Sequence, residues 1–545
     1  MNKYYSILFI SVFFLQVLQA QEEQLNIGFE SNAQYYVDDE VTGDFDENDP
    51  FRSNNYLKVE YGYKKFTAGI QIEGYTPQRL LSYSPSYDDP VNIATYHLAY
   101  QNGKWLVDAG YFYEQFGSGL VLRAWEDRQL GINNALRGLK IKHTFSDRLS
   151  LTALWGQQRQ GFKVSDGSIF GLNGYWDLSK GDHSLQLELS YAGRYDELPD
   201  DGNGLSPLTH NSGLSVQYAK GGFYTNIEGV VKSKDALVED GNILTDKTFY
   251  GNALQIETGY SRKGFGMNIN LRRMENMNFY TDRYATGNTY NELIVNYLPA
   301  LTKIHDYLLS NIYVYQAQPA ISFYPLQKAG EIGGQIDLYY KIKKGTPLGG
   351  KYGTKIAANF SNWYGLKADY IPEFRRIHVY ALGAGEEYFR DANIEIRKKI
   401  DKKTHLTLTY IDSYYNKTYI EEREGNIHAR TAIADVTYKF GKSQSIRADL
   451  QHLWTRQDMK NWAAGTLEYN AGIHWSFFIN DMYNYGNDEP SHRNHYYNIG
   501  GSYTRGTGRY AVSYGRTRGG LLCVGGVCRE VPAATGLTLN ISKSF

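Results

Sequence analysis

The chain has 545 residues and a net charge of −1, from 57 Lys and Arg against 58 Asp and Glu, a balance that implies no nucleic-acid partner. Its 49 Tyr, 24 Phe and 8 Trp against only 13 Pro favour strands over helices. With a mean hydropathy of −0.50 and no later run of about 18 apolar residues, helical membrane spans are excluded, but a barrel is not, because only alternate residues of its strands meet lipid.

Residues 1–20 read as a cleaved secretory signal peptide. Lys3 is basic, Tyr4 to Leu15 is a short apolar run, and Ala20 is small at the cut. The mature chain, 21–545, then begins with Leu25, Ile27 and Phe29 alternating with Asn26, Gly28 and Glu30. So few residues precede this strand that no N-terminal plug domain is expected.

The next hairpin runs through Leu57, Val59, Tyr61 and Tyr63, turns at Lys64-Lys65, and returns through Phe66, Ala68, Ile70 and Ile72. Asn102-Gly103 marks another, since both positions accept φ > 0. Short turns recur at Ser146-Asp147, Ser179 to Asp182, Lys220 to Gly222, Arg262 to Gly264, Asp401 to Lys403, Gly441 to Ser443 and Gly506 to Gly508. Longer polar connections separate them, at 38–54, 76–91, 115–136, 158–167, 196–211, 234–247, 276–328, 364–388, 416–427, 486–493 and 519–532. Short turns alternating with long loops, joined by strands of about ten residues, is the pattern of a transmembrane barrel. The expected fold is all-β. It is a single large antiparallel β-barrel of the outer membrane of a Gram-negative bacterium, with about 24 strands (roughly 22–26) and long extracellular loops.

Several stretches are candidates for function. Asp44, Asp46 and Asn48 sit in an acidic loop that is either plainly solvated or a weak calcium site; no other cofactor is expected. Arg123, Glu126, Asp127, Arg128 and Arg137 mix both charges with apolar residues, as suits a loop folded into the lumen that sets selectivity, or a structural ion-pair network outside it. The insertion 276–328 is too long for a plain hairpin. Pro299 starts a predicted helix there, with Leu301, Ile304 and Leu308 on one stripe, and the segment reads as a plug or lid folded into or over the lumen. Cys523 and Cys528, the only cysteines, fit one disulfide across a Gly-Gly loop, since a metal needs more than two thiols. His452, His474, His492 and His495 are scattered, and no hydrolase, metalloprotease or phosphate-loop motif occurs, so no enzyme is expected.

The last strand places Leu537, Leu539, Ile541 and Phe545 on one parity and small polar residues on the other. This ending resembles the C-terminal signal read by the barrel-assembly machinery of outer membranes. The segments Gly117 to Ala124 and Leu522 to Cys528 resemble an uncharacterised family of outer-membrane barrels of the Bacteroidetes, which implies location and fold but no substrate. The expected partners are outer-membrane lipid, lipopolysaccharide, the assembly machinery and an outer-membrane protein. The expected function is a porin-like channel for small solutes; the alternative is a plugged barrel serving a secretion, assembly or surface complex.

Overall fold

The computed structural model describes residues 23–545 except 46–48, 82, 88–89, 198–204, 240–241, 286–287, 289, 322–326 and 372–375. The segment expected to be a signal peptide, Asp46 and Asn48 therefore lie outside the described residues.

The alternating runs form one closed antiparallel sheet of 24 strands. In chain order these are β1 (Glu23–Tyr36), β2 (Phe51–Tyr63), β3 (Phe66–Tyr75), β4 (Val91–Asn102), β5 (Trp105–Phe112), β6 (Leu136–Ser146), β7 (Leu149–Gln160) and β8 (Lys163–Asp177). Then follow β9 (His183–Tyr195), β10 (Leu208–Lys220), β11 (Phe223–Glu239), β12 (Asn242–Arg262), β13 (Phe265–Glu275), β14 (Glu331–Ile342), β15 (Thr354–Ile371) and β16 (Arg376–Lys399). The last third is β17 (Thr404–Asn416), β18 (Asn426–Lys439), β19 (Gln444–Trp454), β20 (Trp462–Ala471), β21 (Trp475–Tyr483), β22 (His495–Arg505), β23 (Gly508–Thr517) and β24 (Ala534–Ser544). Each strand pairs with the next, and β1 pairs with β24 from Gly28↔Ser544 to Tyr36↔Gly536. The Phe545 N–H donates to the Ile27 carbonyl at 2.8 Å and continues that seam. Closure leaves no unpaired edge.

Register follows from parity. In the β1–β2 pair Leu25, Ile27 and Phe29 face Tyr61, Val59 and Leu57, so apolar meets apolar on one face. That face points outward. Leu450 is 71% exposed and Leu189 66%. The inward face is polar and hydrogen-bonded, as where Asn359 Nδ2 donates to Asp337 Oδ1 at 2.8 Å and Arg447 reaches Asp435 at 2.9 Å and Glu468 at 3.0 Å. The barrel is apolar outside and polar inside, the reverse of a barrel made for water.

Three expected loops are strands instead. Residues 158–167 fold as a tight hairpin turning at 161–162. The described residues of 234–247 and 364–388 belong to the long hairpins β11–β12 and β15–β16. Where both faces of a strand see water, the period of two in hydropathy disappears, and such a strand reads as a loop. The region between Tyr339 and Ile400, the least regular in the sequence, resolves into β14, β15 and β16, with the Gly-rich connection 343–353 on the side of the short turns.

Candidate functional site

The long connections do not stand away from the barrel. The loop between β5 and β6 enters the lumen, because its backbone donors meet wall carboxylates. The Gly117 N–H donates to Glu188 Oε1 at 2.7 Å, and the Ser118 N–H to Glu228 Oε2 at 3.0 Å. Gly117 has φ +55°, a conformation that favours glycine, and a Cβ there would lie 2.6 Å from Glu228 Oε1, so a side chain would displace that carboxylate. Behind it Phe116, Leu120, Val121 and Leu122 bury against Leu154, Ile169 and Val230 of the wall.

The insertion between β13 and β14 lies across the first loop and then along the opposite wall. The Arg123 N–H donates to the Val295 carbonyl at 2.8 Å, and Tyr297 N–H to the Gly119 carbonyl at 2.9 Å. Farther on, Leu309 and Tyr315 join Trp363, Phe389, Leu453 and Trp462 in a second apolar cluster on the wall of β15 to β20. The Leu309 N–H donates to Gln451 Oε1 at 2.9 Å. The segment is not helical. Around the expected stripe, Leu308–Asn311 forms one 3₁₀ turn and residues 299–307 and 312–321 are irregular. Of the expected stripe, Leu301 and Leu308 pack partly against the cluster, while Ile304 is 40% exposed. Leu309, at 1% exposure, is the anchor. The physical reason lies in the wall: its polar groups and the hairpin 520–531 supply partners for an irregular backbone, which then needs no internal ladder.

Buried ion pairs fix the insertion. Arg283 lies 2.9 Å from Asp196 and 2.8 Å from Asp235, and Arg194 lies 3.0 Å from Asp235. Arg272 lies 2.8 Å from Glu331 and also donates to the Pro299 carbonyl at 2.7 Å. Glu331 further accepts from the Tyr315 hydroxyl at 2.6 Å. Glu292 accepts from Ser84 at 3.0 Å, Ser86 at 2.9 Å and the Gly161 N–H at 3.2 Å, and burial pushes its carboxyl above the usual range. His305 is buried with Nε2 unpartnered; burial first, then the Lys303 ammonium, pushes its imidazole down to about 4. Arg159, Arg194, Arg272 and Arg283 carry no sequence motif. The available signal was parity for Arg194 and Arg272, which fall among inward-facing residues of their strands; Arg159 has the outward parity of Leu151 and Trp155 and is buried because the register shifts between Gln157 and Arg159.

The expected constriction residues divide. Arg123 stacks on Tyr297 at 3.8 Å and Trp125 at 4.6 Å. Arg128 pairs with Glu30 of β1 and lies 3.2 Å from Glu126, which also accepts from Gln71 at 3.2 Å. Asp127 caps a turn through the Leu130 N–H at 2.9 Å. Arg137 does not join them. Leu136 buries into the lumen cluster, so the next side chain of β6 shares the outward parity of Leu139. Asp44 is exposed, and among the described residues no group of three or more potential ligands gathers for a metal. Cys523 and Cys528 form a disulfide across the hairpin 520–531. His452 meets Tyr485 at 2.7 Å, His474 the Thr504 carbonyl at 2.7 Å, His492 Glu489 at 3.3 Å and His495 Asp481 at 2.7 Å. Leu537 and Leu539 face outward, and Phe545 is exposed at the closing seam.

One sector of the lumen is not filled by side chains. A cavity of about 690 Å³ runs beside β23, β24 and β1, lined by Glu30, Asn32, Gln34, Thr538, Asn540 and Arg509, with Arg128, Arg518 and Arg529 from the loops. Among the described residues neither Arg509 nor Arg518 forms an ion pair.

Residues 1–545 match the model of a family described as a family of unknown function, DUF6029. No curated protein matches the chain. Among solved structures it is similar to the translocation pore of the P pilus usher PapC, at 9% identity and TM-score 0.41 over 95% of this chain and 99% of that one. It is also similar to the siderophore receptor PirA from Pseudomonas aeruginosa, at 8% and 0.43 over 96% of this chain and 80% of that one. The outer membrane protein opdK from Pseudomonas aeruginosa gives 9% and 0.37 over 96% and 99%.

Proposed function

Since the chain belongs to the DUF6029 family, whose function is unknown, we propose from its own geometry that it is an outer-membrane channel, narrowed by its loops to one arginine-lined passage for small anions. The outward apolar parity of a closed barrel supports the membrane location, because Leu450 or Leu189 would be costly to leave in water.

The observation that carries the reading is the cavity beside β24 and β1. Four arginines and one carboxylate, Glu30, line it, and Glu30 is taken by Arg128. An unpaired guanidinium attracts a monovalent anion at 4 Å by about 1 kcal/mol even in bulk water, and by more beside a low-dielectric wall. Two such groups in one passage favour anions over cations.

Planar-bilayer recording with a KCl gradient tests this. The reversal potential should report chloride over potassium, and Arg509→Glu with Arg518→Glu should invert the preference. A second reading has its own support: the buried arginine pairs weld the insertion to the wall as a permanent core. If neither the native protein nor the double variant conducts, the channel reading fails. The barrel then serves as a sealed platform for another outer-membrane protein.

A further inference from the structure

A second cavity, of about 220 Å³, lies where the β5–β6 loop, the insertion and the disulfide hairpin meet. Trp125, Tyr280, Tyr297, Asn291, Asn296 and Gln316 line it, and no carboxylate, ammonium or guanidinium does. Trp125 Nε1 and Asn296 Oδ1 are both buried without a partner, one a donor and the other an acceptor. Asn296 is only 1% exposed, and its amide nitrogen is already committed to the Met277 carbonyl at 2.7 Å. A buried polar atom left unpaired costs roughly 1–3 kcal/mol, so the site calls for something that fills it.

The rings are held in advance. Trp125 and Tyr297 stand edge to face, with centroids 5.5 Å apart, and Arg123 stacks on both. The roof is the tip of the hairpin. The Gly526 carbonyl accepts from Ala300 N–H at 2.8 Å and the Gly525 carbonyl from the Tyr297 hydroxyl at 2.7 Å. A Cβ on Gly526 would lie 2.5 Å from the Ala300 carbonyl oxygen. Trp125, Tyr297 and Gln316 are only half-buried, which leaves a way in.

We propose that this cavity binds one neutral sugar ring. Such a ring offers an apolar C–H face to an aromatic plane and hydroxyls that donate and accept together, which matches aromatic walls, amides and an unpaired donor and acceptor without charge. The volume corresponds to about seven waters at roughly 30 Å³ each, enough for one ring and too little for a chain of them. The Cys523–Cys528 bridge acts as a positioning element, since it holds the roof and lies in no barrel strand.

Saturation-transfer NMR of the full protein in detergent, with glucose, galactose and N-acetylglucosamine as neutral ligands and glucuronate and inorganic phosphate as charged controls, reads binding without any conductance. At least one neutral sugar should saturate, and the charged controls should not displace it. Gln316→Ala, whose side chain makes no hydrogen bond among the described residues, should weaken binding about tenfold. Trp125→Phe should do the same by removing the donor, and Cys523→Ser with Cys528→Ser should weaken it several-fold while the barrel's heat-modifiable gel mobility is kept. Failure of all three sugars to saturate, displacement by glucuronate or phosphate, or binding unchanged in both Gln316→Ala and Trp125→Phe overturns the proposal and leaves a water-filled cavity.

Discussion

Leu309→Ala isolates how the insertion is held. Leu309 is 1% exposed and sits among Tyr315, Leu453 and Trp462, with its backbone N–H on Gln451. Truncating a buried leucine costs roughly 2–5 kcal/mol, the spread reflecting how far the site collapses. The ladder of 24 strands does not depend on this contact, so the loss falls on the seating of residues 300–316 rather than on the barrel. At about 1.4 kcal/mol per factor of ten, the unseated population should rise roughly 30-fold to several-thousand-fold. Lys303 lies inside the seated segment, and trypsin can cut after it only when the segment leaves the wall. Where reclosing outruns cleavage, the rate follows the open population. Cleavage after Lys303 should therefore accelerate by at least an order of magnitude in Leu309→Ala and hardly at all in Ile304→Ala, whose side chain is 40% exposed. Equal rates in the two variants would refute the anchoring argument.

Acid should loosen the same segment. His305 is held down to about 4, below its free value of about 6.5, so above pH 6.5 both states are neutral and pH has no effect. Between about 6.5 and 4 the unseated segment takes a proton that the seated one refuses. Seating therefore weakens progressively, by roughly 3 kcal/mol at most, and flattens below pH 4. Hydrogen exchange at 300–316, corrected for intrinsic pH dependence, should show this, and His305→Gln should abolish it. Arg283→Met leaves Asp196 buried without its cation and should lower stability by about 3–5 kcal/mol in urea titration, with Arg283→Lys rescuing little because one ammonium cannot span both carboxylates. Leu450→Arg, in the middle of β19, should destabilise the barrel in lipid vesicles by roughly 2–4 kcal/mol. Leu382→Arg should be silent, because that part of β16 runs far beyond a membrane's thickness from its short turn. Equal effects at the two sites would refute the placement of Leu382 outside the membrane.

Parity along each strand makes the barrel legible in the sequence. Leu25, Ile27 and Phe29 against Asn26, Gly28 and Glu30 already separate outside from inside, and the tight turns set the strand number, because neighbouring strands only have to be joined. The disulfide was legible for the same local reason, as its two cysteines flank one Gly-Gly turn. The long polar hairpins were not, since strands with water on both faces lose the hydropathy period. Parity also betrayed Arg137, which follows an inward Leu136 and so faces out, but only once the strand's start was fixed. The lumen was decided by tertiary structure alone. Arg283 with Asp196 and Asp235, Leu309 with Gln451, and the cavity between Trp125 and Gln316 join residues far apart in the chain. The helical period read at 301–308 failed because a polar wall satisfies an irregular backbone as well as a helix satisfies itself. Local pattern records which side of a strand meets water; it holds no record of which loop crosses the barrel to meet which wall.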